Sequence, residues 1–151
     1  TRYIGVTGVQ TCALPIFVFC RFRNEIEDIA QLFKKQKRSF MTYHGDTKNR
    51  SCWEDFQKKS GPQGFIAQIS TGGVGIDLFA SRLVIFYSRT FSWDEYDQAI
   101  KRVYRNGQTR PVIVINMIAE QTIDSYLDKV LQRRGKVAKG ILDLYRRHLN
   151  P

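Results

Sequence analysis

Ile16-Phe17-Val18-Phe19-Cys20-Arg21-Phe22-Arg23-Asn24-Glu25-Ile26-Glu27-Asp28-Ile29-Ala30-Gln31-Leu32-Phe33-Lys34-Lys35-Gln36-Lys37-Arg38-Ser39-Phe40-Met41-Thr42-Tyr43 changes its hydrophobic period twice. The first five residues are apolar without alternation, the mark of a strand buried on both faces. Ile26, Ile29, Ala30 and Phe33 then recur at helical spacing within Asn24 to Lys37. Phe40 to Tyr43 reads as a second strand. A strand, a crossover helix and a strand in succession pair in parallel with a right-handed connection, so this stretch selects the fold class.

Working outward, a helix is expected from about Thr47 to Lys59, anchored by Trp53 and Phe56, before Gly61-Pro62-Gln63-Gly64 breaks the chain. Phe65 to Ile69, Leu83 to Tyr87 and Val112 to Met117 supply three more apolar strands. Ile123, Tyr126, Leu127, Val130 and Leu131 open a last helical region, which Val137, Ile141, Leu144 and Tyr145 continue after an expected break at Gly135. Five strands alternating with helices give an α/β fold, an open parallel sheet with helices on both faces. Loops at the carboxyl ends of such strands are where ligands bind.

The 151 residues suit one domain, and 42% hydrophobic residues are enough for its core. A net charge of +10 points to a polyanionic partner. Cys12, Cys20 and Cys52 form no C-x-x-C pair, which argues against a disulfide framework or cysteine zinc site and fits a reducing, cytoplasmic compartment. His44 and His148 are too few for a histidine-rich metal site, and no apolar run has the length of a membrane span. Thr7, Gln10 and Thr11 interrupt the early apolar region, so residues 1–16 do not read as a signal peptide. Val6 to Ile16 instead resembles a sequencing adaptor read through as coding sequence. Residues 1–16 are therefore expected to be non-native, with the domain running from 17 to 151 and the natural chain cut just upstream of Phe17.

Two segments carry chemistry. Between Asp94 and Gln108, Tyr96, Ala99, Ile100 and Val103 make an apolar helical stripe, and Gln98, Arg102 and Arg105 fall roughly opposite it. Ser92 and Glu95 form a capping box at the start, and Gly107 supplies the stop. Two guanidinium forks on one face suit a phosphoryl group, although arginines also serve simply to solvate a helix. Ser70-Thr71-Gly72-Gly73-Val74-Gly75-Ile76-Asp77-Leu78 follows the third strand. Its glycines let backbone amides approach a ligand, and Asp77 can accept from a ribose hydroxyl. A tight strand-to-helix turn would use the same residues. The segment is neither G-x-G-x-x-G nor a P-loop.

Taken in order, these segments resemble the second RecA-like domain of superfamily two helicases, most closely the Swi/Snf-related DNA-dependent ATPases. Phe17-Val18-Phe19-Cys20-Arg21-Phe22 looks like their motif IV, Ser70 to Leu78 like motif V, and Gln98 to Gln108, read as Q-x-x-x-R-x-x-R-x-G-Q, like motif VI. The resemblance covers Phe17 to the C-terminus, including Thr122-Ile123-Asp124. The segment His44 to Arg50 is shorter than in the family, which weakens any nucleic-acid role for Arg50. Tyr104 stands where relatives often carry histidine. His44 reads as a structural residue at a strand end.

The resemblance implies that Arg102 and Arg105 are arginine fingers on the transferring phosphoryl group. It also implies that Gly75 and Asp77 touch the ribose, with Gly73 and Gln98 in the same ATP contact, and that Arg21, Ser70 and Thr71 meet the nucleic-acid backbone. Such motors need a Walker lysine and an acidic pair for Mg²⁺, which this chain lacks, so ATP with Mg²⁺ would be shared with an N-terminal RecA-like lobe. Alone, the chain is expected to bind ATP weakly and hydrolyse none. The implied partners are DNA and that lobe, with no membrane, and a bacterial or phage source is compatible. A stand-alone nucleic-acid-binding module and a non-catalytic scaffold remain as alternatives. Lys34-Lys35-Gln36-Lys37-Arg38 reads as a solvated helix face. Lys129, Arg133, Arg134, Lys136, Lys139, Arg146 and Arg147 could equally be solvated or track a phosphate backbone.

Overall fold

The computed structural model describes residues 15–49, 51–71, 76, 78–104 and 108–149, with 139–149 as helix backbone. Five strands, β1 (Ile16–Cys20), β2 (Phe40–Tyr43), β3 (Gly64–Gln68), β4 (Leu83–Phe86) and β5 (Ile113–Asn116), form one sheet in the order β2-β3-β1-β4-β5. Every pairing is parallel, with Phe17 opposite Phe65 and Val84 at the centre. Four helices accompany them: α1 (Arg23–Lys35), α2 (Cys52–Phe56), α3 (Trp93–Val103) and α4 (Ile123–Leu149). Most of the expected segment 1–16 lies outside the described residues, but Ile16 is the first residue of β1.

The unalternating run in β1 has the expected consequence, and Phe17 to Cys20 are all buried. Phe17 and Phe19 join Phe65, Ala67, Val84 and Phe86 on one face, beneath Cys52 and Phe56 of α2 and Ala99 and Val103 of α3. Phe17 stacks on Phe65 at 5.3 Å between ring centroids, and Phe19 on Phe86 at 4.9 Å. Val18, Cys20 and Ile66 face the other way, beneath Ile26, Ile29 and Phe33 of α1. Helices therefore cover both faces, as the sequence implies. At β5 the cover thins: it is an edge strand beyond the reach of α1, and Ile113 is 51% exposed.

Two helices depart from expectation. The segment read as Thr47 to Lys59 keeps only Cys52–Phe56 helical. Thr47 closes a turn with His44 through both its amide and its hydroxyl, and the Asn49 side chain accepts from Ser51 N. Short polar side chains here satisfy the backbone locally and delay the helix. At Gly135 there is no break, because α4 runs through it and the glycine admits the Trp93 indole, 2.4 Å from where a Cβ would stand. In α3, Ser92 Oγ accepts from Glu95 N at 3.3 Å, half of the expected capping box, while Ser92 N donates to Thr90 Oγ1. The expected stop at Gly107 lies outside the described residues.

Gly64 opens β3 directly under Phe33 of α1, whose ring atoms would lie 2.2 to 3.0 Å from an added Cβ. Gly64→Ala is expected to cost about 1–3 kcal/mol through overpacking, read by urea unfolding. Gly45→Ala, where the nearest atom is an arginine nitrogen at 3.5 Å, should change stability little. Equal losses for the two would refute this account of the α1–sheet contact.

Candidate functional site

The carboxyl ends of the parallel strands share one edge, and β1 and β3 deliver several predicted residues there. Glu25 in the first turn of α1 accepts from the amides of Arg21 and Phe22 at 3.1 and 3.0 Å. Ser88, just past β4, accepts from Arg21 N at 2.7 Å and donates to the Glu25 carboxylate. Gln68 Nε2 donates to Arg21 O at 3.2 Å, and its carbonyl oxygen accepts from Thr71 Oγ1 at 3.4 Å. Arg21, Thr71 and the β4 end are thus tied into one network, with Ser70 exposed beside it. The Arg21 guanidinium stacks over Phe22 at 5.1 Å on the open surface.

A second cluster forms where α3 ends. Arg102 is half-buried in the last turn, and its Nη1 donates to Ile76 O at 3.4 Å, a long bond. Its own carbonyl accepts from Leu78 N at 3.0 Å, so the helix end is stitched to the outgoing limb of the glycine-rich segment. Burial lowers the pKa of Arg102 from its ordinary value, and Tyr43 acts in the opposite direction. The group nevertheless remains guanidinium at working pH. Gln98 is exposed one turn earlier on the same side of α3. Gly73, Gly75, Asp77 and Arg105 lie outside the described residues, as does Arg50.

Several contributors escape the sequence reading. Tyr43, at the end of β2, is buried and acts on Arg102 from a different strand. Gln108, read as the last residue of a motif, donates to Phe79 O at 2.9 Å and Ser81 O at 3.1 Å, fastening the chain after α3 to the loop before β4. Arg89, in the loop between β4 and α3, is buried and pairs with Asp128 of α4 at 2.7 Å. Its Nη2 has no hydrogen-bond partner among the described residues, and neither does the buried Nδ1 of His44. No spacing rule links positions 39 residues apart. Among the described residues no group of three or more His, Cys, Asp or Glu could hold a metal ion, and no helix is long and apolar enough to cross a membrane.

Residues 11–107 match the family model described as "Helicase conserved C-terminal domain". The chain belongs to that helicase C-terminal domain family. This helicase domain is 25% identical over 123 residues to "DNA repair protein rad8" of Schizosaccharomyces pombe, a match covering 80% of the chain and 11% of that protein. It is 29% identical over 131 residues to "Chromatin-remodeling ATPase INO80" of Homo sapiens, covering 85% of the chain and 8% of that protein. The chain therefore spans about a tenth of the length of these curated relatives. The solved C-terminal part of the Fun30 ATPase domain superposes with a TM-score of 0.72 at 22% identity, over 78% of this chain and 39% of that one. The fold is the RecA-like α/β fold, and the relatives it matches are Swi/Snf-family ATPases.

Arg89→Met alone is expected to cost about 1–3 kcal/mol by urea unfolding, because it leaves the partly buried Asp128 carboxylate without its ion-pair partner, whereas Arg89→Met with Asp128→Leu should recover most of the loss. A single-variant loss below about 1 kcal/mol would mean that the pair does not hold α4. Cys20 provides a separate check. Burial, then the Glu25 carboxylate, pushes its thiol up from 9.0 to about 12. The folded state keeps a proton that the unfolded chain releases, so this contribution is whole below pH 9.0 and is lost as pH rises towards 12. Iodoacetamide at pH 8 should leave Cys20 unmodified in folded protein and alkylate it in urea, as read by peptide mass mapping. Rapid labelling of the folded protein would contradict the burial.

Proposed function

We propose that this domain is the C-terminal motor lobe of an ATP-dependent DNA helicase or translocase, and that Arg102 and Arg105 act as arginine fingers. One observation carries the reading. The arginine helix and the glycine-rich segment, separate in sequence, are hydrogen-bonded to each other at Arg102, through its side chain to Ile76 O and through its carbonyl from Leu78 N. The helix end that would meet phosphate is thus held against the segment that would meet ribose.

The donor set fits the anionic end of a nucleotide. Arg102 offers a planar fork, partly desolvated, where a charge interacts more strongly than in bulk water. Its bond to Ile76 O is long, so exchanging that carbonyl for a phosphoryl oxygen costs little. Gly73 and Gly75 would give backbone amides, Asp77 would accept from the ribose, and Gln98 would lie at the rim. Mg²⁺ would neutralise phosphate charge from ligands on a second lobe. Arg21, tied through Gln68 to the incoming end of the glycine-rich segment, and Ser70 and Thr71 of that end would hold the DNA backbone. Closing of the two lobes clamps the nucleotide under Arg102 and Arg105, and reopening lets them step along DNA. With one wall of the ATP site, the isolated chain binds ATP weakly and hydrolyses none. The names of the relatives, an ATPase and a DNA repair protein, support this reading.

The test is DNA-stimulated ATP hydrolysis by the domain joined to its natural upstream lobe. Arg102→Ala and Arg105→Ala should each lower turnover by about 10³-fold or more. Arg102→Lys should also fail, because it keeps charge and loses the fork. Wild-type turnover in the alanine variants would overturn the motor reading.

A further inference from the structure

The charges of α4 are sorted by face. Leu127 and Leu131 are buried against the body of the domain, and the acids of the first turns are used on or near that side. Asp128 pairs with Arg89 and accepts from Gln132, and Asp124 accepts from Ala119 N at 3.3 Å. Arg134 also turns inward, donating to Phe91 O at 3.2 Å beside the Gly135–Trp93 contact. Lys129, Arg133 and Lys136 remain. At 100° per residue they fall within about 60° of arc, opposite Leu127 and Leu131. All three are exposed, and none pairs with an acid among the described residues.

We infer that this outer face of α4 is a second nucleic-acid contact, in which Lys129, Arg133 and Lys136 track the phosphates of one strand. The inference rests on the motor reading only for the identity of the polymer as DNA. The row spans about 10 Å of helix axis, and four successive phosphates of one strand, three intervals of about 3.4 Å, span about the same length of duplex axis. The docking contacts through Arg89, Phe91 and Trp93 fix which side of the helix faces out, so the row is presented by the fold. By contrast, Lys34 and Lys35 sit in the last turn of α1, where cations offset the helix dipole, and their charge is explained without a ligand. Contacts of this kind give affinity without sequence preference.

Binding of the whole chain to a fluorescein-labelled duplex, followed by anisotropy across a salt series, tests the inference. The triple variant Lys129→Gln, Arg133→Gln, Lys136→Gln should lower the slope of log K against log salt by about 2.7 and weaken binding at least tenfold at about 0.1 M salt. The charge-matched control Lys34→Gln, Lys35→Gln, Lys37→Gln should change both far less. An unchanged slope in the first variant, or an equal loss in the control, would overturn the site. So would retention of the effect only on vesicles of anionic phospholipid, with no duplex binding by the wild-type chain. Because the measurement needs no hydrolysis, failure here leaves the arginine-finger reading standing, and failure of the turnover test leaves this one standing.

Discussion

A central strand with no solvent face constrains everything else in this domain. Phe17 to Cys20 lie between β3 and β4, with α1 on one side and α2 and α3 on the other. Each residue of β1 must therefore be apolar, and each neighbouring strand must arrive in parallel through a crossover. The stacked rings of Phe17 on Phe65 and Phe19 on Phe86 fix the register across three strands. That register brings the ends of β1 and β4 level, so Ser88 can reach Arg21 N and Glu25 can close the network. Polar order at the sheet edge follows from apolar order at its centre.

The two clusters at the site differ in how firmly they are held. Around Arg21 the backbone is fixed by several short bonds while the guanidinium lies on the surface over Phe22. At Arg102 the side chain is partly withdrawn from water and held by a long bond to a carbonyl. A rigid backbone with an open cation suits contact with a mobile polymer. A partly desolvated cation with a replaceable acceptor suits a compact anion whose charge changes during reaction.

The fold was legible because its information is local: unalternating strands, a helical stripe in α1 and the stripe Tyr96, Ala99, Ile100 and Val103 in α3 each declare a period. The errors fell where local and tertiary preferences compete. Gly135 looks like a helix stop by propensity, yet it is kept inside α4 by the indole of Trp93. The polar stretch before Cys52 looked helical around Trp53 and Phe56, but its side chains bond to their own backbone. In the candidate site, Arg102 was singled out by its place on one helix face with Gln98 and Arg105. Tyr43 and the Arg89–Asp128 pair were not, because they meet through the fold over long separations that no periodic pattern records. Gln108 was found as part of a motif while its work, bonding two loop carbonyls, could be seen only in three dimensions.

The anchoring of α4 through Asp128, Leu131 and Gly135 has a mechanical consequence. About 21 Å of continuous helix extends from Gly135 to Leu149. A tilt of roughly 10° at the Arg89 and Trp93 anchor would sweep the far end through about 4 Å, somewhat less than one helical turn. The helix is a lever whose fulcrum is the loop leading into the arginine helix. A small rearrangement where α3 begins is therefore amplified at a distance, and a pull on the far end is returned to the same loop.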